Sequence, residues 1–230
     1  MIVSIMQPAY IPWLGHFDRI AKSDLHVVLD NVTMDKNSKT KFTNRNKIRT
    51  PHGWSWLTVP LKSVSKSSEV LINEIEIASD NNWNEKHLRA IQFNYSRSLY
   101  YSQYSDYFQY FYNKKWDLLQ PMLVESSKYI LNELKIATPI VLSSELSVVS
   151  KKSELILDIC KKLDATAYLS GPFGRDYLDK EAFYRAGIEL QFHDYTHPTY
   201  KQPYNGFEPY MSTLDLLFSH GDDSLEILKS

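Results

Sequence analysis

The chain has 230 residues, of which 43% are hydrophobic and 23% charged, and its formal net charge is −1 at pH 7. A chain of this size can bury a substantial core without disulfide or metal staples, so we expect one globular domain. The charge balance gives no overall attraction to nucleic acid or anionic lipid, and we expect neither as a partner.

Cysteine content and hydropathy indicate the cellular compartment. The single cysteine, Cys160, excludes a disulfide within the chain. The N-terminus lacks the basic region and apolar run of a signal peptide. No stretch approaches the ~20 apolar residues needed to span a bilayer. We therefore expect a cytoplasmic protein with no membrane span.

The N-terminal segment is typical of a βαβ unit. Residues 2–6 predict a buried strand, 16–22 a helix, and 25–29 a second apolar strand. The loop between the first strand and the helix contains Pro8 and Pro12, which restrict its backbone. Ligands bind at the carboxyl ends of strands in open α/β sheets, so this loop is predicted to be a wall of the active site. Its polar candidates for a catalytic role are Gln7, Tyr10 and His16.

Residues 40–62 predict a β-hairpin around the turn Thr50-Pro51-His52-Gly53, and residues 70–77 predict a third strand. Strand alternation places Asn44 with Asn46 on one face and Arg45 with Lys47 on the other. Two cations on one face suit a phosphate or carboxylate, although a solvated charged face explains them equally well.

The chain becomes helical from Asn82, a predicted N-cap, to Leu134, and Pro121 should kink or start a helix there. After Thr138 strands and helices alternate again, which predicts a mainly parallel sheet. The predicted strands are 139–144, 165–170 and 188–195, and the predicted helices are 151–163 and 178–186. Near the C-terminus, Ser212 and Asp215 have the spacing of an N-cap and a capping-box acid, and we expect Asp215 to be structural.

The fold class is therefore α/β, with a Rossmann-like, mainly parallel sheet, an inserted β-hairpin flap and a helical middle segment. We expect a single domain over 1–230. Its α/β core comes from about 1–35 and 138–230, its flap from about 40–79 and its helical insertion from about 82–135.

Polar residues recur at the ends of the predicted parallel strands, which predicts a cleft along that edge of the sheet. Taken singly, each residue is also explained as a strand-end cap or turn former. The His193, Asp194 and His197 group lacks a recognisable third ligand type nearby, and we expect no metal site. The strand-end residues are Gln7, Asp30, Asn31, Ser143, Ser144, Ser170, Gly171, His193 and Asp194.

The opening loop resembles the start of the nucleotidylyltransferase superfamily, with its H-x-G-H signature. Gly15 and His16 match that signature, but Trp13 stands where the first histidine belongs. The resemblance therefore supports a Rossmann-like layout more than it supports nucleotidyl transfer.

Four stretches together resemble the WbqC-like protein family. They are "QPAYIPWLGHFDRI" (7–20), "NRNKIRTPHGWSWLTVP" (44–60), "YLSGPFGRDYLD" (168–179) and "HPTYKQPYNGFEPYMSTLDLLFSHG" (197–221). The resemblance implies a role in the synthesis of O-antigen (lipopolysaccharide) or other bacterial surface polysaccharides. It implies a transferase that adds a glycyl, other aminoacyl or small acyl group to a nucleotide-linked amino sugar.

Acyl transfer of this kind needs a base, donors for an oxyanion and a grip on phosphate. The predicted base is His16 or His193, and Ser170 with the amides of the Gly171–Gly174 turn could supply donors. The predicted substrate-binding residues are Asn44, Arg45, Lys47, Ser144, Gly171, Gly174 and Gln202.

Three readings stay open at this point. The first is the transferase, with either ATP or a preactivated acyl donor as co-substrate and a nucleotide-activated amino sugar as partner. The second is a nucleotidylyltransferase-like or acyl-adenylate-forming enzyme. The third is a non-catalytic binding component of the same pathway.

Overall fold

A computed structural model describes residues 1–34, 42–62, 70–79 and 81–230. These residues group into two compact units, each assembled from three stretches of chain. Unit 1 consists of Met1–Pro8, His16–Asn31 and Ile136–Thr196, and unit 2 of Ala9–Gly15, Val32–Lys135 and His197–Ser230. Residues 197–230, which we assigned to the α/β core from sequence, thus group with unit 2.

The strands and helices are numbered in chain order. The strands are β1 (Ile2–Met6), β2 (Leu25–Val28), β3 (Arg45–Thr50), β4 (Gly53–Thr58), β5 (Ile140–Leu142), β6 (Ala167–Ser170) and β7 (Glu189–Phe192). The α-helices are α1 (Leu14–Ala21), α2 (Trp83–Tyr95), α3 (Tyr101–Asn113), α4 (Leu119–Glu133), α5 (Lys152–Lys162), α6 (Gly174–Tyr177), α7 (Lys180–Arg185), α8 (Thr213–His220) and α9 (Ser224–Lys229). None of the described helices is both long and apolar enough to cross a membrane.

Unit 1 is built on a parallel sheet with the order β5-β2-β1-β6-β7. The apolar strand residues Val3, Ile5 and Val27 are almost fully buried, as expected for strands covered on both faces. The chain first builds the sheet outward from β1 through β2 to β5, and then restarts on the other side of β1 with β6 and β7. This reversal creates a topological switch point between β1 and β6, where open α/β sheets bind ligands. The predicted α/β class with a parallel sheet is confirmed.

Helix α5 adds apolar side chains to the buried core of unit 1. Its apolar stripe Leu155, Ile156, Ile159 and Cys160 is buried, as the 3.6-residue period predicts. Burial raises the pKa of the Cys160 thiol to about 12, so it stays a neutral core side chain.

Unit 2 contains the antiparallel β3–β4 hairpin, whose register pairs Arg45 with Thr58 and Thr50 with Gly53. The separate hairpin confirms that part of the predicted fold class. Gly53 has φ of +119°, a conformation that favours glycine in the turn. The helices of unit 2 pack through aromatic side chains, and Tyr104, Phe108 and Phe111 of α3 are buried while Tyr107 is half-buried. Pro121 lies in the first turn of α4, where its missing N–H leaves no helical bond unmade.

Two local predictions need correction. The expected strand over 70–77 is wrong in its centre, where Ile72–Glu74 form a 3₁₀ turn and the Glu74 carboxylate accepts from the Leu71 N–H at 3.3 Å. Asn82 does occupy the N-cap of α2, but with φ of +47° and no capping hydrogen bond from its side chain. Residues 40–41 and 63–69 of the predicted flap lie outside the described residues.

Candidate functional site

The structure distributes the predicted site residues over both units. Seven belong to unit 1 and lie on helix α1 or follow the carboxyl ends of its parallel strands. These are Gln7, His16, Ser144, Ser170, Gly171, Gly174 and His193. The other five, Tyr10, Asn44, Arg45, Lys47 and Gln202, belong to unit 2.

His193 and Asp18 form a buried pair in unit 1. His193 follows β7, and its Nε2 lies 2.5 Å from Oδ2 of Asp18 on α1. Because an ionised carboxylate can only accept, Nε2 carries the hydrogen and donates it to Asp18. In neutral His193 the lone pair is therefore on Nδ1, for which the described chain offers no hydrogen-bond partner. This is how a carboxylate orients a histidine to act as a base.

Asp18 is fully buried, yet it remains ionised. Burial raises the pKa of Asp18, but the hydrogen bonds from His193 and Lys22 outweigh this effect and leave the pKa below its ordinary value. Both bonds go to Oδ2, whereas Oδ1 is buried with no partner among the described residues. The pair thus has one unused acceptor atom beside the histidine.

His16, the other predicted base, has a different environment. Burial lowers its pKa well below the usual value, and the nearby His26 and Arg19 lower it further. The His16 and His26 rings lie 6.0 Å apart between centroids. Since His16 stays neutral, it can accept or donate a hydrogen bond but is poorly suited to hold a proton taken from a substrate.

The turn after β6 is closely packed on Ser170. A Cβ added at Gly174 would lie 2.0 Å from Ser170 Oγ, so only glycine fits there. The Ser170 hydroxyl donates to the Gly171 carbonyl at 3.1 Å. A Cβ added at Gly171 would lie 2.6 Å from Arg19 Nη1, which places the guanidinium against the end of β6.

Ser144 is engaged by the protein itself. Its backbone N–H and its hydroxyl both donate to the buried carboxylate of Asp30, at 2.9 and 2.8 Å. The Ser143 hydroxyl lies 3.0 Å from the same carboxylate. This cluster joins the ends of β2 and β5, which explains Ser144 as a strand-end cap.

Arg19 is a candidate that our sequence analysis missed. It lies on α1 between the buried Asp18 and Ile20, and nothing in the residue pattern distinguishes it from an ordinary surface arginine. Its Nε is buried without a hydrogen-bond partner, and no carboxylate of the described residues lies within the 4.0 Å of an ion pair. Burial lowers its pKa, while Tyr168 and Tyr177 act in the opposite direction.

In unit 2, the predicted cations stack on tryptophans of the hairpin. The Arg45 guanidinium lies 4.2 Å from the Trp56 ring centroid, and Lys47 Nζ lies 4.8 Å from that of Trp54. These are favourable cation–π contacts that hold both side chains over β4. Asn44 is used locally, because its Nδ2 donates to the Val59 carbonyl at 2.9 Å.

Tyr10 is fully buried and its hydroxyl is occupied. It lies 2.8 Å from His87 Nδ1 and 2.5 Å from the Tyr112 hydroxyl. Asn46 donates to the carbonyls of Tyr10 and Ile11, at 3.1 and 2.7 Å, where Ile11 has φ of +40°. These contacts explain Tyr10 as part of the unit 2 core, contrary to our expectation of a ligand-facing hydroxyl.

Gln202 is explained in the same way. Its Nε2 donates to Asp215 Oδ2 at 2.8 Å, and its Oε1 accepts from Arg49 and from the Glu208 N–H. Asp215 also accepts from the hydroxyls of Tyr95 and Tyr200, each at 3.0 Å. Asp215 is therefore not the capping-box acid that its spacing suggested, although Ser212 does cap α8 by accepting from the Leu214 N–H.

Metal binding finds no support within the described part of the chain, where no group of three or more His, Cys, Asp or Glu side chains could hold an ion. Such a site needs several converging ligands. Unit 1 offers groups suited to acid–base and electrostatic chemistry, namely the Asp18–His193 pair, the turn after β6 and the Arg19 cation.

Comparison with known proteins identifies the group to which the chain belongs. Residues 7–227 match the WbqC-like protein family. A Mycobacterium tuberculosis protein described as "Uncharacterized protein Rv1507c" is 32% identical over 232 residues, which cover 99% of this chain and 97% of that protein. No solved structure matches the chain. The chain thus belongs to the WbqC-like protein family.

Proposed function

We propose that the protein is a transferase that moves a small acyl group, such as glycyl, onto the amine of a nucleotide-linked amino sugar in surface polysaccharide synthesis. The observation that carries this proposal is the Asp18–His193 pair after β7. A histidine oriented by a buried carboxylate is suited to accept the proton that an amine must lose when it attacks a carbonyl.

The proposed step balances as follows. The sugar nitrogen attacks the acyl carbonyl of an activated donor, so a C–N bond forms and the bond from carbonyl carbon to leaving group breaks. His193 Nδ1 takes the proton from the nitrogen and passes it to the leaving group.

The oxyanion formed in this step needs hydrogen-bond donors. In the turn after β6, Pro172 has no N–H and the Gly174 N–H donates to the Gly171 carbonyl at 3.0 Å, so the proposed oxyanion donors are the backbone N–H groups of Gly171 and Phe173. His16 contributes to this site as a neutral hydrogen-bonding group rather than as the base.

The test combines a chemical readout with a matched variant. Mass spectrometry of the surface polysaccharide should show a substituent in the wild type that a deletion strain lacks. His193→Gln keeps a donor near the Nε2 position for Asp18 but removes the basic nitrogen, so it should restore none of the substituent while melting like the wild type. His52→Ala, an exposed residue of the hairpin turn, is the control and should restore it fully.

Two results would contradict the proposal. One is full restoration of the substituent by His193→Gln. The other is an identical polysaccharide in wild type and deletion strains. The nucleotidyl-transfer alternative receives less support, because a neutral His16 cannot add positive charge at a transferred phosphoryl group.

A further inference from the structure

We propose that Arg19 is an anion-binding residue of unit 1 and takes a phosphate group of the ligand at the carboxyl end of β6. This deepens the proposed function by naming the charged group of its substrate, and it rests on that function only for the statement that the phosphate belongs to the transferase substrate.

The inference rests on the hydrogen bonding and ion pairing of the Arg19 guanidinium. Arg19 is mostly buried, and none of its N–H groups donates to an atom of the described residues. The described chain also provides no carboxylate within ion-pair distance, although arginines that leave the surface are almost always paired. The neighbouring acid, Asp18, is already bonded to Lys22 and His193.

The buried Nε of Arg19 costs stability, because it has lost its contact with water and has no hydrogen-bond partner among the described residues. An anionic ligand removes this cost when it binds. Burial also strengthens the attraction between the guanidinium and an anionic ligand, because water screens the two charges less. Arg19 is therefore placed where it lowers stability in the free protein and contributes affinity in the complex.

The surroundings favour phosphate as the anion. The guanidinium lies against Gly171 at the end of β6, beside the β1–β6 switch point, where doubly wound sheets hold nucleotide phosphates. Nη1 of Arg19 occupies the place where a Cβ of Gly171 would stand, so the guanidinium lies directly beside the backbone at the end of β6, and its planar fork suits the oxygens of a phosphate group. Tyr168 and Tyr177 lie close enough to Arg19 to act on its pKa, and both raise it.

The experiment measures anion binding and unliganded stability together. The wild type is titrated with pyrophosphate, with uridine diphosphate and with acetate, by calorimetry and thermal melting. We expect both phosphate compounds to raise the melting temperature and acetate at the same concentration to leave it unchanged. Arg19→Met should bind each phosphate compound at least tenfold more weakly, yet melt without ligand at the wild-type temperature or above it.

Arg19→Gln provides a second, polar variant and should show the same weakening. Arg185→Met is the control in the same unit, because Arg185 is exposed on α7 and forms an ion pair with Glu181 on the same helix. It should bind phosphate like the wild type.

Three outcomes would overturn the proposal: phosphate binding that survives in both Arg19 variants, Arg19 variants that both melt well below the wild type, or equal stabilisation by acetate. If the Arg19 variants behave as expected but His193→Gln still transfers the acyl group, the anion site stands and the proposed reaction fails.

Discussion

His26 illustrates how a single buried side chain acquires a defined protonation state. The Ser23 hydroxyl donates to the Ile20 carbonyl at 2.8 Å, so it can only accept from Ser4, whose Oγ lies 2.9 Å away. Having given its hydrogen to Ser23, Ser4 Oγ must accept from His26 Nδ1, also at 2.9 Å. His26 therefore carries a hydrogen on Nδ1, and because its pKa is lowered by burial it is neutral, with its lone pair on Nε2.

This environment makes His26 sensitive to acid. Burial, together with a smaller effect of the nearby Arg19, lowers the pKa of His26 from its usual 6.5 to about 3. Because the folded pKa lies below the unfolded one, the stabilisation is complete above pH 6.5 and is lost as the pH falls toward 3. His26→Asn keeps a donor for Ser4 but cannot ionise, so its unfolding free energy should fall less between pH 6.5 and 4 than that of the wild type. Urea denaturation at several pH values measures this, and equal slopes would contradict it.

Asp215 has a larger structural role than a helix cap. It is fully buried and accepts three hydrogen bonds, from Tyr95, Tyr200 and Gln202. Burial raises its pKa to about 6 despite these donors. Asp215→Ala removes the acceptor of all three bonds, at about 0.5–1.5 kcal/mol for each bond lost and more where a donor stays buried and unpaired, whereas losing the Ser212 cap costs about 0.5–2 kcal/mol. We therefore expect Asp215→Ala to reduce the unfolding free energy more than Ser212→Ala does. Chemical denaturation of both variants measures this, and a larger loss for Ser212→Ala would contradict the prediction.

At the scale of elements, the turn between β6 and α6 depends on one glycine. A Cβ at Gly174 would lie 2.0 Å from Ser170 Oγ and 2.9 Å from Leu178 Cδ1. Neither atom is the end of a long flexible chain, so Gly174→Ala should cost about 1–3 kcal/mol through overpacking. Thermal melting checks this. Ser170→Gly removes the obstructing hydroxyl, and the double variant should recover part of the loss if the clash is the cause.

The elements that local pattern predicts well are those whose residues decide their own conformation. The apolar runs 2–6 and 25–29 form the strands β1 and β2 of unit 1, as their residue pattern predicts. The alternating run 70–77 was misleading, because the Glu74 carboxylate satisfies the Leu71 N–H locally and closes a 3₁₀ turn that alternation cannot reveal.

At the scale of the molecule, sequence patterns do not predict which residues far apart in the chain contact each other. The strand-end position of His193 could be predicted, but its contact with Asp18 depends on a fold that brings α1 and the end of β7 together. Arg19 could not be predicted at all, since an arginine in a short helix is normally exposed and only the structure shows it buried and unpaired. Tyr10 and Gln202 were assigned to the site because they are polar, and their buried networks became visible only with the fold.

The strand order of unit 1 has a consequence for the way the protein is made. Among the strands of this sheet, β1 is synthesised first, and it lies at the centre of the strand order. β2 pairs with it almost at once, but its other neighbour, β6, begins only at Ala167. The nascent chain therefore carries an open, apolar strand edge through most of its synthesis, and such edges recruit foreign strands. Completion of β6 is the event that closes this edge and ends the period in which the growing chain is most exposed to aggregation.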